Sequence, residues 1–521
     1  MLKYFKAHKL LIAFLYSSLL MGLAILFLPI RFEENDDIVM LLLASGNYTG
    51  NFESNLIFIN PIYGAVVSSL YRFSKGIEWY TLLFLLFHLV SFSVLIHKII
   101  KLTLKPIFVI SLVILFSVLE LNFLMYLQFT TVAIMMSVAG VILYHREKRI
   151  QSIFSFLMIL FAAFIRPEVT LLILIFVLPY FIYTSFRFKS YRRLIYFLFF
   201  LTIPVSSIIT RDKLVSKEWN IATKYNRLRA EVTDNLNADF SESIYKGVCS
   251  KEDYTLLKNF FPNPNVITME VLKRLSHNIQ IKKQQSDIFK NIKTQFISYV
   301  RDFILLFFIL GMLVVFNKNN KNRLLILLYS VFLISVLAYI SIDGLLKNRI
   351  FLGFVISFIL VCIFLIEEWN YFSRFQLYSL SIGFVLLSFY YTRRLTEKVN
   401  ETLLNRNIYL SEQIDLLNEF HKYNSTKYIT PYGDDLKLHY LNPFEISNIT
   451  RNWNLYYLGW MTKNPHNEKY EQRMNNELNV FISNYSFLKI QNDFNFSTGF
   501  SIMKNRSFIK SANFKVVSYN R

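Results

Sequence analysis

Residues 1–37 read MLKYFKAHKLLIAFLYSSLLMGLAILFLPIRFEENDD, and their order decides the fold class. No charged residue occurs between Leu10 and Ile30, a run long enough to cross the hydrocarbon core of a bilayer. Four carboxylates follow within five positions: Glu33, Glu34, Asp36 and Asp37. The apolar run is longer than the core of a secretory signal, and FLPIRFEEN lacks the small residues of a cleavage site. It reads as a retained first membrane helix with acids at its lip.

The pattern recurs through the chain. Of the 521 residues, 54% are hydrophobic and only 17% are charged, with 52 Phe and 32 Tyr; mean hydropathy is +0.38. Apolar segments fall near 10–30, 79–97, 106–121, 126–144, 151–165, 169–186, 194–210, 297–316, 323–341, 350–367 and 376–391. This predicts an all-α polytopic membrane protein with about eleven transmembrane helices. A soluble domain is excluded. The net charge of +21 does not point to nucleic acid, because the cations cluster in short loops and suit anionic headgroups of the lipid bilayer. Two cysteines, Cys249 and Cys362, sit in unlike surroundings and predict no disulfide framework.

Loops 98–105, 146–149, 187–193, 318–323 and the N-terminus carry roughly three times the Lys and Arg of the opposite short loops. The N-terminus is therefore expected in the cytoplasm and the C-terminus outside. Residues 1–391 form the expected transmembrane body. Three polar blocks then lie outside: a first loop over 31–78, a long loop over 211–296, and a small α/β domain over 392–521. Within the first loop, DDIVMLLLASG and NPIYGAVVSSLYRF are too short to span, and both read as helices lying at the interface. In the long loop, Ser250 and Asp253 mark a helix start.

No phosphate-binding G-x-x-x-x-G-K-[ST] or G-x-G-x-x-G motif occurs, so the chain contains no nucleotide-driven motor. The outer lips of the spans do hold polar residues from distant parts of the sequence. Asn60 and Tyr63 open the second loop helix. Glu120 and Asn122 end the third span, and Gln128 begins the fourth. Arg166 and Glu168 form a tight turn, Arg211 follows the seventh span, and Asp343, Lys347 and Arg349 lie between the ninth and tenth. Each has a purely structural alternative, such as a cap or an interfacial anchor. Together they predict one cavity with carboxylates on one side and cations for a phosphate on the other. The acids suit three roles: capping a helix, holding a divalent cation (Mg or Mn on Asp36 and Asp37), or general-base catalysis. No cofactor is demanded by any motif.

Paired acids after the first helix, followed by short interfacial helices, resemble the first loop of the GT-C superfamily of integral membrane glycosyltransferases. NDDIVMLLLASGNYTGNFESNLIFINPIYGAVVSSLY and LQFTTVA are likewise similar to bacterial surface-polysaccharide proteins of that type. The resemblance implies a polyprenyl-phosphate-linked sugar or glycan as donor, a surface polysaccharide as acceptor, and a bacterial inner membrane location. It places the catalytic base on Asp36 or Asp37. Glu33, Glu34, Asn60, Tyr63, Glu120, Gln128, Arg166, Glu168, Arg211, Lys347 and Arg349 are then the expected substrate-binding set. Trp453, Tyr456, Tyr457 and Trp460 would either stack on sugars or form the core of the tail. A polysaccharide polymerase using cations of the long loop is the nearest alternative. A lipid-linked glycan transporter is the other, but no mid-span charges or internal repeats mark one.

Overall fold

Lipid satisfies no backbone hydrogen bond, so an apolar chain of this kind must fold its spans as helices. A computed structural model describes residues 8–520 apart from 49, 103–104, 145–148, 188, 190, 235–240, 264, 286–291, 294–295, 298, 318, 343–345, 366–371, 424–427, 432–434, 458, 468–476, 484–500 and 511–513. Asp343 lies outside the described residues.

The body is built from α1 (Lys9–Phe27), α4 (Trp79–Lys101), α5 (Pro106–Met125), α6 (Phe129–Tyr144), α7 (Arg149–Ile165), α8 (Pro167–Arg187), α9 (Tyr191–Leu214), α14 (Val300–Phe316), α15 (Asn320–Ser341), α16 (Asn348–Leu365) and α17 (Arg374–Asn405). Among the described residues six of these, α1, α4, α5, α8, α9 and α15, are long and apolar enough to cross a membrane. Segments on α6, α7, α14 and α16 are apolar but shorter. α1, α9 and α15 bury fewer than a third of the residues in their apolar stretches, as helices facing lipid do. The segment expected at 376–391 is only the first half of α17. That helix starts at a capping box of Ser373 and Gln376 and runs for 32 residues, so it projects well beyond the apolar layer.

The first loop contains α2 (Asn35–Ser45) and α3 (Pro61–Phe73). The expectation that α2 lies on the bilayer is corrected here. Every residue from Asp37 to Ser45 is buried. A helix apolar on all sides has no polar face to offer water, so it is enclosed by protein. Gly46 ends it at φ 79°, a left-handed position that only glycine takes without cost. α3 is amphipathic: Tyr63, Val67 and Tyr71 pack inward while Ile62, Val66 and Phe73 remain exposed.

The long loop forms α10 (Lys217–Thr233), α11 (Glu242–Tyr245), α12 (Lys251–Lys258) and α13 (Met269–Gln285). α12 begins as its sequence predicts, with Ser250 Oγ accepting from the Asp253 N–H at 3.0 Å. After α17 comes a π-helical turn and α18 (Ser411–Tyr423), then β3 (Ile429–Pro431), β4 (Glu477–Ser483), β5 (Ser501–Lys510) and β6 (Phe514–Asn520). The four strands make one sheet in the order β3-β4-β6-β5, parallel between β3 and β4 and antiparallel elsewhere.

The tail shares a core with the first loop. One hydrophobic cluster joins Ile38–Ala44, Tyr63, Tyr71 and Tyr80 to Leu417, Phe420, Leu438, Trp453, Tyr456 and Phe481. Polar ties run across the same boundary. Glu78 accepts from the Ser447 N–H at 2.6 Å, Tyr48 donates to Asn467 at 2.8 Å, and His466 meets Glu53 at 3.0 Å. Trp219 of α10 packs edge-on against His466, so first loop, long loop and tail meet on one face of the bundle.

Candidate active site

The acidic stretch is clamped from both ends. Arg31 and Phe32 form β1, which pairs in parallel with β2 (Tyr126–Leu127) in the turn between α5 and α6. The Glu33 N–H continues that ladder to the Leu127 carbonyl at 3.1 Å. On the other side Asn35 donates to the Leu436 carbonyl and accepts from the His439 N–H of the tail. Arg31 itself is buried, stacked between the rings of Tyr126 and Tyr440 at 3.9 and 4.4 Å. The start of α2 is thereby fixed at the mouth of the helix bundle.

The two neighbouring aspartates diverge, since consecutive helix positions point about 100° apart. Asp37 turns inward and is fully buried. It accepts from the Tyr80 hydroxyl at 2.9 Å and the Phe129 N–H at 3.3 Å, and its Oδ2 has no partner. Burial pushes its carboxyl well above the usual range. Asp36 is only half-buried and accepts no hydrogen bond among the described residues. Burial, and then the neighbouring Glu34 carboxylate, push it up to about 6, against the pull of Arg229 and Arg349.

Cations from three distant segments lie at this end of the bundle, and two of them, Arg349 and Arg166, act on Asp36. Arg349, at the start of α16, holds Glu33 at 3.0 Å and Glu34 at 3.4 Å. Arg211, at the end of α9, pairs with Glu168 at 2.9 Å and lies 3.7 Å from Asp212. Arg166, in the turn between α7 and α8, is the least satisfied of them. Glu168 is 3.7 Å away, and the Arg166 Nε and Glu168 Oε2 atoms are both buried without a hydrogen-bond partner. Its guanidinium lies near the faces of Phe129 and Phe58, at 5.2 and 5.8 Å. Burial lowers its pKa, and the fields of Arg211 and Arg349 add to that against those of Glu168 and Asp36. An arginine crowded by two others and short of acceptors is a ready position for an oxyanion.

Sequence reasoning missed Arg229 and Asp234. Arg229 is almost wholly buried on α10, bonded to Asn226 and Thr233 and 3.4 Å from Asp234, and both charges act on Asp36. A signal was present: Arg229 falls in register with Ala222, Tyr225 and Val232, so a cation occupies the apolar face of a helix.

Other expected residues sit elsewhere. Glu120 lies within α5, a turn below its end, and meets His88 at 2.9 Å inside the bundle. Gln128 caps α6 by accepting from the Thr130 N–H at 3.1 Å. Asn60 is the cap of α3 and donates to Ser207 on α9, fully buried. Tyr63 is buried against Phe87. Lys347 is exposed at the first turn of α16. Trp453, Tyr456 and Tyr457 are buried in the shared core, and Trp460 packs on Phe58 at 5.1 Å. The expected pairing of Asp36 with Asp37 on a divalent cation does not fit. Asp37 faces Tyr80, Glu33 and Glu34 face Arg349, and among the described residues no three His, Cys, Asp or Glu groups converge.

No family model and no curated protein matches the chain. Among solved structures, the chain is similar to the apo crystal structure of ArnT from Cupriavidus metallidurans. That alignment covers 98% of both chains at 11% identity, with a TM-score of 0.39. A likeness so distant carries no argument about chemistry, which rests on the residues themselves.

Proposed function

We propose that this chain is a membrane glycosyltransferase of the GT-C type, moving a sugar from a polyprenyl-phosphate donor to a surface glycan at the outer face of the inner membrane. One observation carries the reading: Arg166, Arg229 and Arg349 all bear on one carboxylate, Asp36, and Arg211 shares Glu168 with Arg166, at the rim of an apolar bundle. A lipid-linked phosphate has this combination of needs, with its tail in the bilayer and its charge at the lip.

In the proposed reaction Asp36 accepts the proton of an acceptor hydroxyl. The freed oxygen forms a bond to the anomeric carbon while the bond from that carbon to phosphate oxygen breaks. The electron pair leaves with the polyprenyl phosphate, whose growing charge is met by Arg166 and Arg211. A single displacement inverts the anomeric centre.

Vesicles bearing the chain, given radiolabelled polyprenyl-phosphate sugar and cell-surface glycan, are expected to transfer label. Asp36→Asn and Arg166→Gln lose that transfer at equal protein abundance. Undiminished transfer in both variants removes the assignment. The presence of Arg229 beside Asp36 also suits a polysaccharide polymerase that uses a cation of the long loop. Loss of the polysaccharide ladder, with no loss of single-sugar branches, in Arg229→Gln favours that second reading.

A further inference from the structure

The elbow between α3 and α4 brings two cations together with no acid to meet them. Arg72 lies in the last turn of α3, and Lys75 follows in the elbow. Both approach one ring, that of Phe52, with the Arg72 guanidinium 5.8 Å and the Lys75 ammonium 5.0 Å from its centroid. Among the described residues neither forms an ion pair with a carboxylate. The acids that flank them in the sequence are turned inward and occupied. Glu53 meets His466 at 3.0 Å, and Glu78 accepts from the Tyr71 hydroxyl at 3.0 Å and the Ser447 hydroxyl at 2.8 Å. Short loops at this end of the bundle carry few cations, so the pair is a local excess of positive charge.

The same elbow sits where a membrane would begin. α4 is long and apolar enough to cross a bilayer, and it opens on Trp79, a residue type that favours the boundary between hydrocarbon and water. The Trp79 indole N–H donates to the Ser74 carbonyl at 3.0 Å, which fixes the elbow against the start of the span. Phe73 is 87% exposed, and Ile77 is exposed two residues before Trp79. Ile62, Val66 and Phe73 repeat at helical spacing on the exposed side of α3, and exposed apolar residues continue on α4 at Leu82, Leu86 and Val90. A helix lying on a bilayer buries such a stripe among acyl chains and keeps its cations at the headgroups.

We propose that this elbow binds the headgroup of an anionic phospholipid in the leaflet bordering the first loop, with Phe73 and Ile77 inserted among its acyl chains. The inference needs only that α4 spans the membrane, and it stands apart from the transfer reaction proposed above. A phosphodiester headgroup holds its charge at the depth where Arg72 and Lys75 stand. The fork of Arg72 can take two phosphate oxygens while Lys75 adds a point charge. Phe52 keeps the two cations beside each other, so a single anion meets both. A zwitterionic lipid carries its own cation and gains less from the pair. The bound lipid ties the C-terminal end of α3 to the bilayer, next to the stretch of the first loop that carries Phe52 and Glu53.

The test uses the full chain in phosphatidylcholine vesicles, with Phe73→Trp as a local fluorescent reporter. Its signal is the difference from the same chain without that substitution. A small fraction of the lipid is brominated on its acyl chains, as phosphatidylglycerol in one set and phosphatidylcholine in the other, because bromine quenches a Trp that it touches. At equal mole fraction, brominated phosphatidylglycerol is expected to occupy the site about tenfold more often, since each cation near the surface contributes a factor of about five. Arg72→Gln and Lys75→Gln together bring that preference to within about twofold. Both side chains are exposed, so the double variant keeps the fold. A reporter that neither lipid quenches lies outside the bilayer and overturns the inference. Equal quenching by the two lipids overturns it too, as does a preference that survives in the double variant. A preference removed by inorganic phosphate, but not by chloride of equal ionic strength, marks a site for soluble anions and overturns it as well.

Discussion

At the scale of the residue, two adjacent aspartates have opposite fates. Asp37 is buried, and that burial holds its carboxyl well above the usual range and so favours the neutral form. Asparagine reproduces that form, so Asp37→Asn is expected to keep transfer within a few-fold of wild type. Asp36→Asn loses at least ~10²-fold, the scale of a missing general base. The pH profile separates them further. A base works only when deprotonated, so turnover rises with pH through about 6, the value set for Asp36, and falls away below it. Steady-state rates from pH 4.5 to 8 check this, and a flat profile would falsify the assignment. For stability the sign is reversed at Asp37. A raised folded-state value favours folding at low pH and loses that contribution as pH rises. Asp37→Asn therefore melts no lower than wild type at pH 8. At Arg166 the planar fork matters as well as the charge, so Arg166→Lys is expected to raise the donor KM roughly tenfold or more.

At the scale of the element, α3 is seated by a missing side chain. A Cβ on Gly64 would collide with the Ser54 carbonyl oxygen. The collision partner is backbone and cannot rotate away. Gly64→Ala should therefore push α3 from the 53–60 loop and destabilise the fold by about 1–3 kcal/mol, read as a lower melting temperature in detergent. Sequence patterning placed this element well, because Asn60-Pro61 is a helix start and the apolar face repeats at helical spacing. It misplaced α2, whose uniform apolarity reads the same whether lipid or protein surrounds it. The two-residue ladder between Arg31–Phe32 and Tyr126–Leu127 left no trace in the sequence. Its partners are far apart in the chain, and two residues show no periodicity.

At the scale of the whole molecule, the tail completes the first loop. Trp453 and Tyr456 are buried in the cluster that encloses α2. Trp453→Ala is expected to cost about 3–5 kcal/mol. If the shared core couples the two regions, the variant also opens residues 46–60 to protease, at the far side of the cluster. Cleavage confined to the tail would show that the two fold separately. The same packing explains why half of the expected site residues assembled and half did not. Arg166, Arg211 and Arg349 sit at helix ends on the face that holds Asp36, so a depth argument sufficed to group them. Glu120 and Gln128 lie near the same level, but they rotate toward His88 and a helix cap, and a linear sequence does not specify rotation about an axis.

The sequence by itself determined that this is a multi-pass helical membrane chain, because hydrocarbon-length apolar runs leave no other way to satisfy the backbone. It also determined that acids and arginines crowd the loop-bearing ends of those helices. Only the tertiary structure decided which aspartate faces the arginines, that Arg229 joins them, and that the tail roofs the first loop. Those outcomes depend on helix rotation and on contacts between segments hundreds of residues apart, where packing rather than local pattern selects the neighbour.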